Sequence, residues 1–264
     1  MELTTTSKEI SLVTWDIPEL HKMKKYPKSL YFLGNQALLK KQKVSIVGTR
    51  KPNQYTRNMT SKLAHAFSKR DICVVSGAAM GVDALAHKGA LTCNTIAVMA
   101  NGLDIRYPAV NKSLIESIEN EGLVISQFER GERARPWNFV VRNELVVALG
   151  DILIVTQADV DSGTMRSVEY ALSMGKKIYV LSHRIGESEA TQQLLEEGKA
   201  EAIYNIEGFC NQFAPLHVGN DDILLQFCKS TPSYDEVFAR FGDKILEYEL
   251  EGKVEILNGK VHCL

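Results

Sequence analysis

A chain of 264 residues, 45% hydrophobic and 24% charged, has room for one substantial core and a smaller module at roughly 100–200 residues per domain. Its composition excludes a disordered or low-complexity chain. The formal net charge of −1 argues against a uniformly basic nucleic-acid binder, yet the charge is uneven: residues 40–70 carry nine Lys or Arg and no acid, whereas residues 221–264 carry nine acids and five bases. The N-terminal MELTTTSK is no basic-then-apolar leader, and no apolar run approaches the roughly 20 residues that span a bilayer, so a cytoplasmic protein without membrane contact is expected. Five cysteines lie far apart with no C-x-x-C pair, which favours buried reduced thiols over a zinc site.

In chain order, residues 1–42 read as an N-terminal arm and a lead-in, YPKSLYFLGNQALL, packed by Tyr31, Phe32, Leu33, Leu38 and Leu39. Short apolar runs then recur at 44–47, 72–75, 95–99, 123–126, 152–155 and 178–181, as suits strands buried on both faces of a parallel sheet. Helical spacing appears between them, with Met59, Leu63 and Phe67 on one face and Arg57, Lys62 and Lys69 toward solvent. The expected fold over 43–212 is α/β, a doubly wound, mostly parallel Rossmann-like sheet. A linker is expected at 213–220. Residues 221–264 should form a winged-helix-like α+β module, with helices near 221–229, 233–240 and 243–251 and a hairpin turning at Asn258–Gly259.

Right-handed crossovers gather the strand C-termini along one sheet edge, where ligands bind. Gly48–Thr49–Arg50–Lys51 follows the first such strand, with a glycine for close backbone approach and two cations where a phosphate would arrive. A solvated basic helix start is the plainer alternative, and the phosphate could belong to a nucleotide or to a polymer. In SGAAMGVDALAH, 76–87, Gly77 and Gly81 let the turn hug a ligand or a neighbouring helix, and Asp83 and His87 suit structural hydrogen bonds. The loop holding Asp104, Arg106 and Tyr107 reads as a surface brace. Residues 128–144 interleave Arg130, Arg133, Arg135 and Arg142 with Phe128, Trp137 and Phe139, a composition that fits a sugar–phosphate chain with unstacked bases, although the aromatics could equally be core. DSGTMRS, 161–167, offers Ser162, Gly163 and Thr164 at another helix start.

Taken in order, Gly48–Thr49–Arg50, SGAAMGVDALAH, GLDIRYP, FVVRN, DSGT and LLEEGKA resemble the DNA-processing protein A (DprA/Smf) family of natural transformation over about residues 26–208. The resemblance implies an extended Rossmann fold, single-stranded DNA binding, protection of incoming strands, loading of the RecA recombinase, a homodimer, and no catalytic residue, metal or cofactor. It implies a phosphate pocket at Gly48, Arg50, Ser76, Gly77, Gly81, Arg142, Asn143, Ser162, Gly163 and Thr164, joined by Thr49 and Lys51. Phe139 and Trp137, supported by Arg133 and Arg135, are the expected base-stacking group. One departure stands out: the family commonly reads Arg-Asn-Arg where this chain has Arg142–Asn143–Glu144. The third helix of the terminal module, DKILEYELE, carries one Lys and four acids, so this module is expected to contact protein rather than DNA, with Ile245, Leu246, Tyr248 and Leu250 as its core.

A rival class is the nucleotide-binding Rossmann protein of the lysine-decarboxylase-like nucleoside-monophosphate phosphoribohydrolase type, which resembles G-G-x-G-T-x-x-E. Position 167 is Ser and the next acid is Glu169, turned about 200° from the required position on a helix. A phosphosugar or nucleotide sensor is a third possibility, one that would not need the arginine–aromatic cluster.

Overall fold

The structure is a computed structural model that describes residues 6–215 and 223–263, in two compact units, Met1–Pro215 and Leu216–Leu264. The first is built from β1 (Thr6–Leu12), β2 (Tyr31–Asn35), β3 (Lys43–Val47), α1 (Gln54–Ser68), β4 (Cys73–Ser76), α2 (Val82–Gly89), β5 (Thr95–Val98), α3 (Lys112–Glu121), β6 (Leu123–Ser126), α4 (Pro136–Leu149), β7 (Ile152–Val155), α5 (Thr164–Ser173), β8 (Ile178–Leu181), α6 (Glu189–Glu196), β9 (Glu201–Ile203) and α7 (Ile206–Cys210). One nine-stranded sheet has the order β1-β2-β6-β5-β4-β3-β7-β8-β9, parallel from β6 through β9. The mostly parallel doubly wound fold is thus present.

Alternate strand residues feed opposite layers. Val44, Ile46, Val74 and Ile154 pack with Leu63 and Phe67 of α1 and Val82 of α2; Val47, Val75, Val98 and Val155 pack with Leu145–Leu149 of α4 and Val168 of α5. Such two-sided burial explains why these strands read as continuous apolar runs.

The stretch read as an arm and lead-in belongs to the sheet. Strand β2 pairs antiparallel with β6, placing Phe32 opposite Ile125, and β1 covers its outer edge. The reason lies in β2 itself, where buried Phe32 and Gly34 alternate with half-exposed neighbours, a period-2 pattern too short to stand out. The expected arginine–aromatic loop is also half helix: Pro136 opens α4 at its first turn, where its missing N–H is not needed.

Three cations of the basic stretch are held by the protein itself, Lys43 and Arg70 in the interior and Lys41 in a surface pair. The Lys43 ammonium, 2% exposed as a residue, donates to Glu19 and to the carbonyls of Leu39 and Lys41. Lys41 pairs with Asp71 at 2.5 Å. Buried Arg70 joins α1 to α7 through Glu207 at 2.7 Å and Asn211.

The second unit holds α8 (Ile223–Cys228), α9 (Tyr234–Phe241), α10 (Lys244–Leu250) and the antiparallel pair β10 (Val254–Leu257) and β11 (Lys260–Cys263). Ser233 and Glu236 form a reciprocal capping box at α9, and Asn258 and Gly259 turn the hairpin with φ of 51° and 75°, as a type I′ turn requires. Ile245 and Tyr248 are core, but Leu246 and Leu250 are exposed, Leu250 at 90%, because they lie on the other side of a helix of less than two full turns. Cys73, Cys210 and Cys228 are buried as expected, whereas Cys93 and Cys263 are exposed. Most of the expected linker, 216–220, lies outside the described residues. Among the described residues no helix is long and apolar enough to cross a membrane.

Candidate nucleic-acid interface

Strands β3 to β6 march outward in one direction, and β7 returns to pair with the other side of β3. The chain therefore reverses its winding between β3 and β7, the place where an open α/β sheet leaves a crevice beyond its strand C-termini. A cleft of about 690 Å³ lies there.

Its walls come mainly from three places, with Ala79 and Asp83 of the segment after β4 added. After β3 run Gly48, Thr49, Arg50 and Lys51; α4 contributes Phe139, Arg142 and Asn143; the turn after β7 brings Ser162, Gly163 and Thr164. Four cations, Arg50, Lys51, Arg142 and Arg166, face two carboxylates, Asp83 and Asp159, a local excess of positive charge that the whole-chain value conceals. Arg50 is exposed, with its guanidinium 5.4 Å from the Phe139 ring centroid. The Ser162 hydroxyl is buried with no hydrogen-bond partner. Gly163 heads α5 without a side-chain cap, and a Cβ built on it would meet nothing within 4 Å. Here free backbone N–H groups, a helix start and open space coincide, as an anion requires.

The other expected glycines pack loops together. A Cβ on Gly48 would sit 2.7 Å from Cγ2 of Val82, and one on Gly77 would overlap the Arg142 guanidinium. Gly81 has φ +81°, and its added Cβ would lie 2.5 Å from the Thr49 carbonyl oxygen. Ser76 is fully buried, its hydroxyl donating to the Ile46 carbonyl at 2.6 Å, so it ties β4 to β3 rather than lining the cleft. Arg142 is only 4% exposed. It donates to the carbonyls of Gly77 and Val98, the latter at 2.7 Å, and through Nε to Asn143 Oδ1 at 3.1 Å. It therefore shapes the cleft floor and holds two loops in place. Arg133, Arg135 and Trp137 are exposed, Trp137 at 71%, and do not line the cleft; the two arginines lie in the loop that leads into α4 and Trp137 in its first turn.

Gln157 links three segments. Its carbonyl accepts from Thr49 N–H at 2.8 Å and its Oε1 from Asn53 N–H at 3.0 Å, while its Nε2 donates to the Glu187 carbonyl at 3.4 Å. Arg166 and Asp159 had escaped the sequence reading. Arg166 lies in the first turn of α5 and lines the cleft although it stands about 200° around the helix from Thr164, so spacing alone gave no sign of it; it pairs with Glu169 at 2.8 Å. Glu144 turns away: its Oε1 accepts the Lys24 N–H at 2.7 Å, so the acid at this position fastens the N-terminal segment and adds no charge to the cleft. The expected brace is present, with Asp104 accepting from Gly131 N–H at 2.9 Å and Arg106 pairing with Glu119 at 2.7 Å.

His87 is structural. Its Nε2 accepts from Ala78 N–H at 3.2 Å, and because the Thr95 hydroxyl donates to the Val74 carbonyl, Nδ1–H donates to Thr95 at 2.7 Å. Burial, reinforced by the Arg142 charge, pushes its pKa down to about 3. The unfolded chain takes up this proton near pH 6.5 and the folded chain does not, so His87 costs stability as pH falls below about 6.5, by up to about 1.4 kcal/mol per pH unit. Chemical unfolding at several pH values between 7 and about 4 should show a shallower decline in H87Q than in the parent; equal slopes would show that His87 takes up its proton in the fold.

The family profile described as DNA recombination-mediator protein A matches residues 11–214. The chain belongs to that family. Protein Smf of Synechocystis is 34% identical over 209 residues, covering 76% of this chain and 51% of its own. DNA processing protein DprA of Streptococcus pneumoniae is 34% identical over 188 residues, covering 70% and 65%. This family member therefore spans about half to two-thirds of the length of those relatives. Among solved structures, DNA processing protein A from Helicobacter pylori, described for its single-stranded DNA binding mode, superposes with a TM-score of 0.76 at 38% identity, over 78% of this chain and 95% of that one. The S. pneumoniae DprA structure gives 0.68 at 32% identity, over 74% and 69%.

Proposed function

We propose that the chain binds single-stranded DNA, holding successive phosphates along the cleft between the β3 and β7 loops. The observation that carries this is the meeting of Arg50, Lys51 and Arg166 with the open Gly163 helix start and the unpartnered Ser162 hydroxyl in one crevice. Family membership, with a relative described for single-stranded DNA binding, supports the same reading. Phe139, bracketed by Arg50 and Arg142, supplies a flat apolar wall suited to an unstacked base. The wider role follows the family: shielding incoming strands in transformation without catalysis or cofactor, handing them to the RecA recombinase, and acting as a homodimer inside the cell. The acidic second unit, with Leu246 and Leu250 exposed on α10, suits a protein contact.

Binding of a labelled oligothymidine over a salt series, with duplex DNA and a nucleoside monophosphate as competitors, tests the reading. Salt-sensitive binding that neither competitor displaces is expected; displacement of the oligothymidine by the monophosphate, or hydrolysis of the monophosphate, favours the phosphoribohydrolase class. R50A should weaken binding for every sequence and flatten the salt slope by about 0.7, one phosphate's share on a single strand. An unchanged slope removes Arg50 from the interface.

A further inference from the structure

A second concentration of positive charge lies outside the cleft, on the segment that the chain lays over α4. Residues 20–30 hold Lys22, Lys24, Lys25 and Lys28 and no acid. Leu20, Met23 and Leu30 are buried in the same core as Leu145 and Leu149 of α4, whereas all four lysines are exposed. The Tyr26 hydroxyl accepts the Ile17 N–H at 3.1 Å, which closes the segment on itself.

The acids that flank the segment have other partners. Asp16 pairs with His21 at 2.8 Å, Glu19 pairs with Lys43 at 2.7 Å, and Glu144 accepts the backbone N–H of Lys24 at 2.7 Å. Among the described residues none of the four ammonium groups is in an ion pair.

The segment starts where the cleft stops. Asn143 lines the cleft and Glu144 is the next residue of α4, so the Lys24 backbone is tied one residue beyond that wall. At the other end of α4, Lys176 donates to the carbonyls of Ala148 and Gly150; burial first, and then the charge of Lys22, push its pKa down to about 8. Lys22 therefore stands near the base of the helix. At 1.5 Å per residue the axis runs about 9 Å from Asn143 to Leu149, and the lysines flank that length.

We propose that Lys22, Lys24, Lys25 and Lys28 form a track along α4 that takes the phosphates of a single strand beyond the cleft, a proposal that rests on the single-stranded DNA reading above. Each ammonium is a point charge on a flexible stem, so the track follows a sugar–phosphate chain without selecting its sequence. The cleft sets the register, and the track makes affinity grow with strand length.

The test compares three-residue and twenty-residue oligothymidines over a salt series, in the parent and in a variant carrying K22Q, K24Q, K25Q and K28Q. The backbone N–H at position 24 and the buried anchors are untouched, and matching thermal unfolding verifies the fold. With the long strand the salt slope should flatten by about 0.7 for each lysine in contact, up to about 2.8 in all, and affinity at low salt should fall about tenfold. Binding of the short strand should stay as in the parent. A control of equal charge, K62Q with K69Q, K88Q and K112Q, changes exposed lysines of α1, α2 and α3, which pack on the opposite sheet face, and should keep the parent slope with both strands. A parent-like slope in the first variant, an equal loss in the control, or an equal loss with the short strand overturns the track. R50A, by contrast, should flatten the slope with both strands. Absence of salt-dependent binding of either strand by the parent protein overturns the cleft reading itself.

Discussion

R142M is expected to lower folding stability by about 3–5 kcal/mol, the range for removing one partner from a buried charged network. The guanidinium supplies donors to the carbonyls of Gly77 and Val98, at the ends of the second and third strands bordering the cleft. Methionine fills similar volume and donates nothing, so two buried carbonyls lose their partners. Asp83 loses its nearest compensating charge as well; burial already raises its pKa despite Arg142 and the surrounding donors. R142K should recover little, because an ammonium is a point charge that cannot reach two carbonyls and Asn143 with a planar fork. Denaturant unfolding of the three proteins measures this, and a parent-like midpoint in R142M would show that the guanidinium does not hold these loops.

The second large effect is expected at Gly81. Its φ of +81° with ψ of −126° belongs to a region that residues with a Cβ avoid, at a cost of about 1–3 kcal/mol. In G81A the new methyl lies 2.5 Å from the Thr49 carbonyl oxygen and 2.6 Å from the Arg50 backbone, and neither can move without opening the cleft. Strain and overpacking together predict a loss of about 2–4 kcal/mol, with weaker DNA binding as Arg50 is displaced. G163A is the matched control, because its φ of −59° suits any residue and its Cβ meets open space. It should fold as stably as the parent yet weaken oligonucleotide binding, since the methyl projects where the proposed phosphate sits. If G163A binds as the parent does, Gly163 is not part of the phosphate seat; if G81A is as stable as the parent, the turn has slack that the geometry does not show.

What could be read from the chain alone divides along physical lines. Strands such as Ile152–Val155 announce themselves because burial on both faces demands an unbroken run of apolar residues. Strands at and near the sheet edges carry no such signal: Glu201–Ile203 holds one buried residue in three, and Tyr31–Asn35, second from the edge, alternates over too few positions to separate from a loop. The loops of the site were legible as glycine-rich turns after strands. What each glycine does was not, because Gly77 answers to Arg142, 65 residues away in sequence. The same holds for charge. Arg70 looks like any surface cation until Glu207 closes over it, whereas the exposure of Arg50 and its place above Phe139 come from the crossing of α4 over the first loop.

The three hydrogen bonds of Gln157 join the β3 loop, the start of α1 and the 184–187 turn. Two of these segments border the cleft region independently in sequence, yet a shift in either strains the same amide and the same carbonyl. The wall formed by the β3 loop is thus set in advance, and under the proposed function little ordering entropy of that loop is left to be lost on binding. For the proposed single-stranded DNA ligand, capture then depends on the encounter, governed by the field of Arg50, Lys51 and Arg166 and by the flexibility of the strand itself. Ionic strength should accordingly act mainly on the association rate, and a strand already in place should leave at a pace set by how many of its nucleotides let go together.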